Sequence, residues 1–73
     1  MPNEPVYQKI IGETIRRYRK QAGLTQEKLA EKVDLHAVYI GDVERGKEMA
    51  SGHALIRIAK VLKVRYRDLV HDV

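Results

Sequence analysis

The sequence predicts an all-α domain, a compact bundle of five short helices. Three observations carry this. Apolar residues recur three and four positions apart along the chain, the spacing of one helix face. Residues that start and stop helices flank those stretches. No alternation of apolar and polar residues, the mark of a strand, runs for more than a few positions.

The elements follow in order. Residues 1–5 are expected as a flexible tail and 6–73 as one folded domain. Pro2 and Pro5 stand in the tail, and Pro5 suits the first turn of a helix. Ile11, Ile15, Tyr18 and Ala22 define the buried face of the first helix. Arg16, Arg17, Arg19 and Lys20 crowd its second half, where cations complement the helix dipole. Such a run is also an ordinary solvated face. Gly23 sits where a left-handed terminal residue is wanted. Thr25 is the N-cap of the second helix, with Glu27 in its first turn. Leu29, Ala30 and Val33 form the inner face, Asp34 ends the helix, and Leu35 packs the turn. The third helix runs from about His36 to Glu44, with Gly46 just beyond. Ser51 caps a fourth, with Leu55, Ile58, Ala59 and Leu62 at helical spacing. A fifth, from about Tyr66 to His71, carries Leu69 and Val70.

Composition excludes several classes of function. A chain of 73 residues is one domain at most. A core this small needs tight helix packing or dimerisation. There is no cysteine, hence no disulfide and no thiolate metal site. His36, His53 and His71 match no metal-ligand spacing, so no metal or cofactor is expected. No apolar run approaches the roughly 20 residues of a membrane span, and no signal peptide is read at the start. A reduced cytosolic compartment is expected, with no membrane partner. No nucleophile–base set, paired carboxylates or phosphate-cradling glycine loop can be assembled, so no enzyme and no catalytic residue is expected. The formal net charge of +4 allows a phosphate-facing patch without requiring one.

The stretch from Leu24 to Gly46 is the informative one. Two short amphipathic helices joined by a tight turn, about residues 25–45, have the spacing of a helix-turn-helix. Such a unit lays its second helix in the major groove of DNA. The same spacing also occurs in ordinary helical hairpins. At 100° per residue, with Ile40 and Val43 inward, Val38 and Arg45 point outward. Gly41 and Asp42 lie on that side, and Ala37 stands near the helix start. Ala37, Val38, Gly41 and Asp42 are therefore the base-facing candidates. This face is poor in donors. Val38 and Ala37 are expected to meet thymine methyls, and Asp42 either accepts from cytosine N4 or orients a neighbouring arginine. Gly41 costs about 1 kcal/mol in a helix relative to Ala, which close approach to DNA would explain. The plain alternatives are a scattered exposed valine, a solvated acid and a tolerated glycine. Gln26 suits a phosphate at the start of its helix, and Lys28, Arg45 and Lys47 add charge at that edge. His36 caps its helix, touches a phosphate or is a neutral surface residue. His53 and His71 read as surface residues.

The stretches IGETIRRYRKQAGLTQEKLAEKV, YIGDVERGKE and LIRIAKVLKV resemble the phage repressor–Cro type (Xre-type) helix-turn-helix regulators. The resemblance covers about Ile11 to Val70. It implies a lambda-repressor-like five-helix DNA-binding domain that binds operator DNA as a homodimer. By position it implies phosphate contacts from Gln26, Tyr39, Arg45 and Lys47. It also implies an internal ion pair between Arg19 and Glu44. The chain departs from the family pattern at His36, where a small polar residue is usual. It departs at Ala37, Val38 and Gly41, where base readers are often polar. It departs again at Lys63 and Arg65, where glycine and a serine cap are common.

One helix-turn-helix reads only a few base pairs, so a dimer on a palindrome is expected. The candidate dimer surface is Val61, Tyr66, Val70 and Val73; the alternative is that Tyr66 and Val70 complete the monomer core. The expected function is a homodimeric repressor acting on double-stranded DNA in the nucleoid. It would be a phage-type repressor, an antitoxin with a protein partner, or a restriction–modification controller. The competing reading is a protein-interaction module that kept the fold without DNA binding.

Overall fold

The computed structural model describes residues 4–71, and among them no strand occurs. Helix α1 spans Glu4–Gln21, α2 Gln26–Val33, α3 Ala37–Glu44, α4 Gly52–Leu62 and α5 Tyr66–Val70. These are the five helices the sequence predicts, in that order. Helix α1 takes in Glu4 and Pro5 and so reaches into the expected tail; a proline fits there because a first-turn N–H has no helical partner. Residues 1–3, 72 and 73 lie outside the described residues, and with them the dimer candidate Val73.

Local chemistry sets most helix ends. Thr25 Oγ1 accepts from the Lys28 N–H at 3.0 Å, and Ser51 Oγ accepts from the Ala54 N–H at 3.0 Å. Each satisfies one of the unpaired donors at a helix start. Helix α5 lacks a serine cap at Arg65. Asp68 compensates, its carboxylate accepting from the Arg65 backbone N–H at 2.9 Å. Asp34 and Lys63 close α2 and α4 in the left-handed region, with φ of 58° and 59°. Their N–H groups return to the last-turn carbonyls, as a glycine's would.

The core forms where the four longer helices meet, with α5 closing one side. Ile15, Leu29, Ile40, Ile58 and Leu69, one from each helix, are at most 1 % exposed. Helix α3 packs on α1 and α2, α4 packs on α2, and α5 on α1 and α4. The expected buried faces of α2 and α4 are buried. In α1, Ile11 and Ile15 are buried and Tyr18 is half-buried, but Ala22 is exposed. The helix ends at Gln21, so the periodicity no longer applies at position 22.

Two contacts lock α1 onto α3. The first is steric. A Cβ on Gly12 would lie 2.1 Å from the Val43 carbonyl oxygen and 2.9 Å from that of Glu44. The helices cross backbone to backbone at this point, and only glycine fits. The second is ionic. Arg19 is 7 % exposed and Glu44 5 %. Arg19 donates from Nε to Glu44 Oε2 at 2.6 Å and from Nη2 to Oε1 at 2.9 Å. Its Nη1 donates to the Leu24 carbonyl at 2.7 Å, and Gln26 Nε2 donates to Glu44 Oε1 at 3.1 Å. The hydrogen bonds to Glu44 push the Arg19 pKa up, against the opposing effect of burial. Among the described residues no buried side-chain nitrogen or oxygen lacks a partner.

Two stability measurements follow. Gly12→Ala is favourable by helix propensity alone, yet it should destabilise the domain by about 3 kcal/mol, because the overpacked contact is rigid backbone. Thermal melting should show the fall, and an unchanged or higher Tm would contradict the close crossing. Arg19→Ala leaves Glu44 buried without its cation and should destabilise by about 3–5 kcal/mol. Arg17→Ala removes only a cation 5.4 Å from the Tyr18 ring centroid. That change should amount to under about 1 kcal/mol. Equal shifts in Tm would contradict the structural role of Arg19.

Candidate nucleic-acid interface

The α2–turn–α3 unit is built by Asp34, Leu35 and His36. Asp34 turns the chain through the left-handed region, and the Leu35 N–H returns to the Ala30 carbonyl at 2.9 Å. Leu35 packs against the core, so the turn cannot swing free. His36 takes the extended N-cap conformation, but its side chain makes no cap hydrogen bond. The ring is left exposed beside Tyr39 and His53 in a shallow cleft. At the far end of α3 the Lys47 N–H reaches the Asp42 carbonyl at 2.9 Å, with Gly46 at φ 76° between them. Lys9 backbone stands 3.0 Å from where a Gly46 Cβ would be, so a side chain is excluded there twice over.

The outer face of α3 differs from the helical-wheel expectation at one residue. Val38 is 74 % exposed, Asp42 is half-exposed and Arg45 is exposed. Ala37 is half-buried and packs toward the core. Gly41, expected to stand open, is buried. Its cover is made of side chains: a Cβ there would lie 3.1 Å from Arg45 Nη1 and 3.4 Å from Gln26 Oε1. Arg45 is held in that position by Asp42, Nη2 to Oδ1 at 2.7 Å. A helical wheel places Cα atoms and cannot show a long side chain folding back over its own helix.

The phosphate candidates fall into two groups. Gln26, Lys28 and Arg45 gather at the start of α2. Gln26 is half-exposed, with its amide engaged by Glu44. Lys28 is exposed and 3.6 Å from Glu31. Arg16 joins this edge, lining a polar depression with Arg19, Gln26, Glu44 and Arg45. By sequence alone Arg16 belongs to a basic run that is also an ordinary solvated face. Its spacing of three from Arg19 is the signal that it borders the buried pair. His36 and Tyr39 line the cleft on the α4 side, and Lys47 follows the end of α3. The Tyr39 hydroxyl accepts from the Ser51 N–H at 3.1 Å and so ties α3 to the start of α4. Lys47 is exposed just past α3.

The dimer candidates lie on α4 and α5. Tyr66 is 46 % exposed, whereas Val61 and Val70 are half-buried and pack against the core. Ile56, 49 % exposed on α4, was not singled out in the sequence. Among the described residues no group of three His, Asp or Glu side chains could hold a metal ion, and no helix is long and apolar enough to cross a membrane.

Comparison with known proteins places this geometry. A family model described as helix-turn-helix matches residues 15–69. The control protein C.BamHI of Bacillus amyloliquefaciens is 39 % identical over 62 residues, covering 84 % of this chain and 76 % of that protein. The crystal structure of the restriction-modification controller protein C.AhdI from Aeromonas hydrophila superposes with a TM-score of 0.82 at 34 % identity, over 85 % of this chain and 94 % of that one. The master regulator for biofilm formation SinR, solved in complex with DNA, superposes with a TM-score of 0.78 at 33 % identity, over 81 % of this chain and 95 % of that one. The matched span runs from the α1 core residue Ile15 to the α5 core residue Leu69 and takes in the whole α2–turn–α3 unit, so this chain belongs to the helix-turn-helix family.

Proposed function

We propose that this protein is a sequence-specific DNA-binding transcriptional regulator. It acts as a homodimeric repressor on a palindromic operator, of the kind that controls a restriction–modification system, and works in the nucleoid. The observation that carries this reading is the α2–α3 unit itself. Arg19, Glu44 and Gln26 fix it rigidly to α1, and it presents Val38 bare on α3, with the exposed cations Lys28, Arg45 and Lys47 on the same unit. The control-protein relatives and the DNA complex of SinR support it.

In this reading α3 enters the major groove. Val38 and Ala37 meet thymine methyls, and the donor-poor face leaves part of the specificity to DNA shape. Phosphates are held by Lys28 and Lys47, by His36 and Tyr39, and at the start of α2. The Gln26 amide is engaged by Glu44, so the backbone N–H groups of the first turn of α2 take the larger share at that point. Dimerisation through Tyr66, with Val61 and Val70 behind it, would set two half-sites about one DNA turn apart. The bare Val38 also suits a protein-docking face, and the salt dependence below separates the two.

A gel-shift titration on the DNA upstream of the protein's own gene tests the reading. With about six phosphates neutralised per dimer, log K should fall against log salt with a slope near −5. A flat dependence would favour protein docking and end the DNA reading. Light scattering tests the dimer: Tyr66→Asp should give monomers at concentrations where the wild type is dimeric. Tyr66 is a cleaner probe than Val70, which packs on the core. Two species of equal mass would rule this surface out.

A further inference from the structure

Asp42 and Gly41 share one neighbour, the guanidinium of Arg45. Arg45 closes α3, yet its side chain does not trail off the helix end. It turns back one helical turn, where Asp42 Oδ1 accepts from Nη2 at 2.7 Å. A Cβ on Gly41 would lie 3.1 Å from Nη1 and 3.3 Å from Nη2. The guanidinium therefore occupies the space that a side chain at position 41 would fill. The shallow depression around it is lined by Gln26, Glu27, Ala37 and Val38 as well as Gly41. Ala37 and Val38 form the first turn of α3, the part of a groove-bound recognition helix that meets base edges.

We infer that Asp42 and Gly41 act through Arg45: together they lay its guanidinium across the groove-facing side of α3 and make it the guanine reader of a face that otherwise has no donor. The inference rests on the DNA-binding reading above. An arginine has five N–H donors. One of Arg45's is engaged by Asp42, and the free ones can pair with O6 and N7 of guanine. Asp42 is then a positioning residue. Its carboxylate is committed to Arg45 rather than to cytosine N4. The pair is exposed, 54 % for the Arg45 side chain and 37 % for that of Asp42, so it contributes little to folding. Its effect is to restrict a flexible side chain to one position before DNA arrives. Gly41 gives that position its room.

The test selects duplexes from a randomised pool with wild type, Arg45→Ala, Asp42→Ala and Gly41→Ala. Affinities are then measured on the best wild-type sequence and its single-base variants. The wild type should require one G·C pair per half-site by about 5- to 150-fold. Arg45→Ala and Asp42→Ala should lose that preference and keep the others. Gly41→Ala should weaken the same preference while its Tm rises, since Ala is the better helix former and the displaced groups are side-chain ends. A merely structural role cannot relax one base pair in a stabilised protein. If Arg45→Ala weakens all sequences alike and lowers the salt slope by about 1, Arg45 is a phosphate contact and the inference falls. It falls equally if Asp42→Ala leaves the G·C preference intact. A wild type that enriches no sequence at all overturns the DNA-binding reading and this inference with it. A clear wild-type motif with no G·C preference at any position overturns the inference alone.

Discussion

The burial of Arg19 against Glu44 is the constraint on which the recognition unit depends. One guanidinium reaches three elements: α1, which carries it; the Leu24 carbonyl in the loop before α2; and the end of α3. Glu44 adds a fourth through Gln26 at the first position of α2. A buried charge is tolerable only when every donor and acceptor is matched, and here the two faces of the pair are filled by backbone and amide groups. The pair is a weak argument for stability as such. It is a strong one for geometry, because any rotation of α3 against α1 would leave a charge buried alone.

Gly12 supplies the steric half of the same constraint. Hydrogen bonds orient α3, and the missing Cβ sets how near it stands. In a chain of 73 residues the apolar core is small, and side chains alone define helix positions loosely. A backbone-to-backbone crossing leaves no slack at that point. The core then closes around it, with at least one fully buried aliphatic side chain from each helix.

The parts of this fold legible in the sequence are those governed by neighbours along the chain. Thr25, Ser51 and Asp34 mark helix ends through bonds made within four residues, and the buried faces of α2 and α4 follow from spacing alone. What was not legible depends on contacts distant in sequence or on side-chain direction. Gly12 looks like an unremarkable helix glycine until α3 is placed against it. Gly41 looks open on a helical wheel, because the wheel omits the return of Arg45. Arg65 looks like a missing cap, yet Asp68, three residues on, ties the helix start by accepting from the Arg65 N–H. At the candidate site, position along α3 located Val38 and Arg45 correctly on the outer face. The mutual arrangement of Asp42, Gly41 and Arg45 needed coordinates.

The division of labour within α3 has an evolutionary consequence. Ile40, Val43 and Glu44 hold the helix in the bundle, whereas Val38 is 74 % exposed and touches little of it. Eight residues thus carry two nearly independent inscriptions, one read by the fold and one by the partner. Drift in the second leaves the first untouched, so a duplicated copy can acquire a new target by few substitutions without passing through an unfolded ancestor. Two coexisting copies in one cell would need to differ at only a handful of surface positions to stay out of each other's circuits.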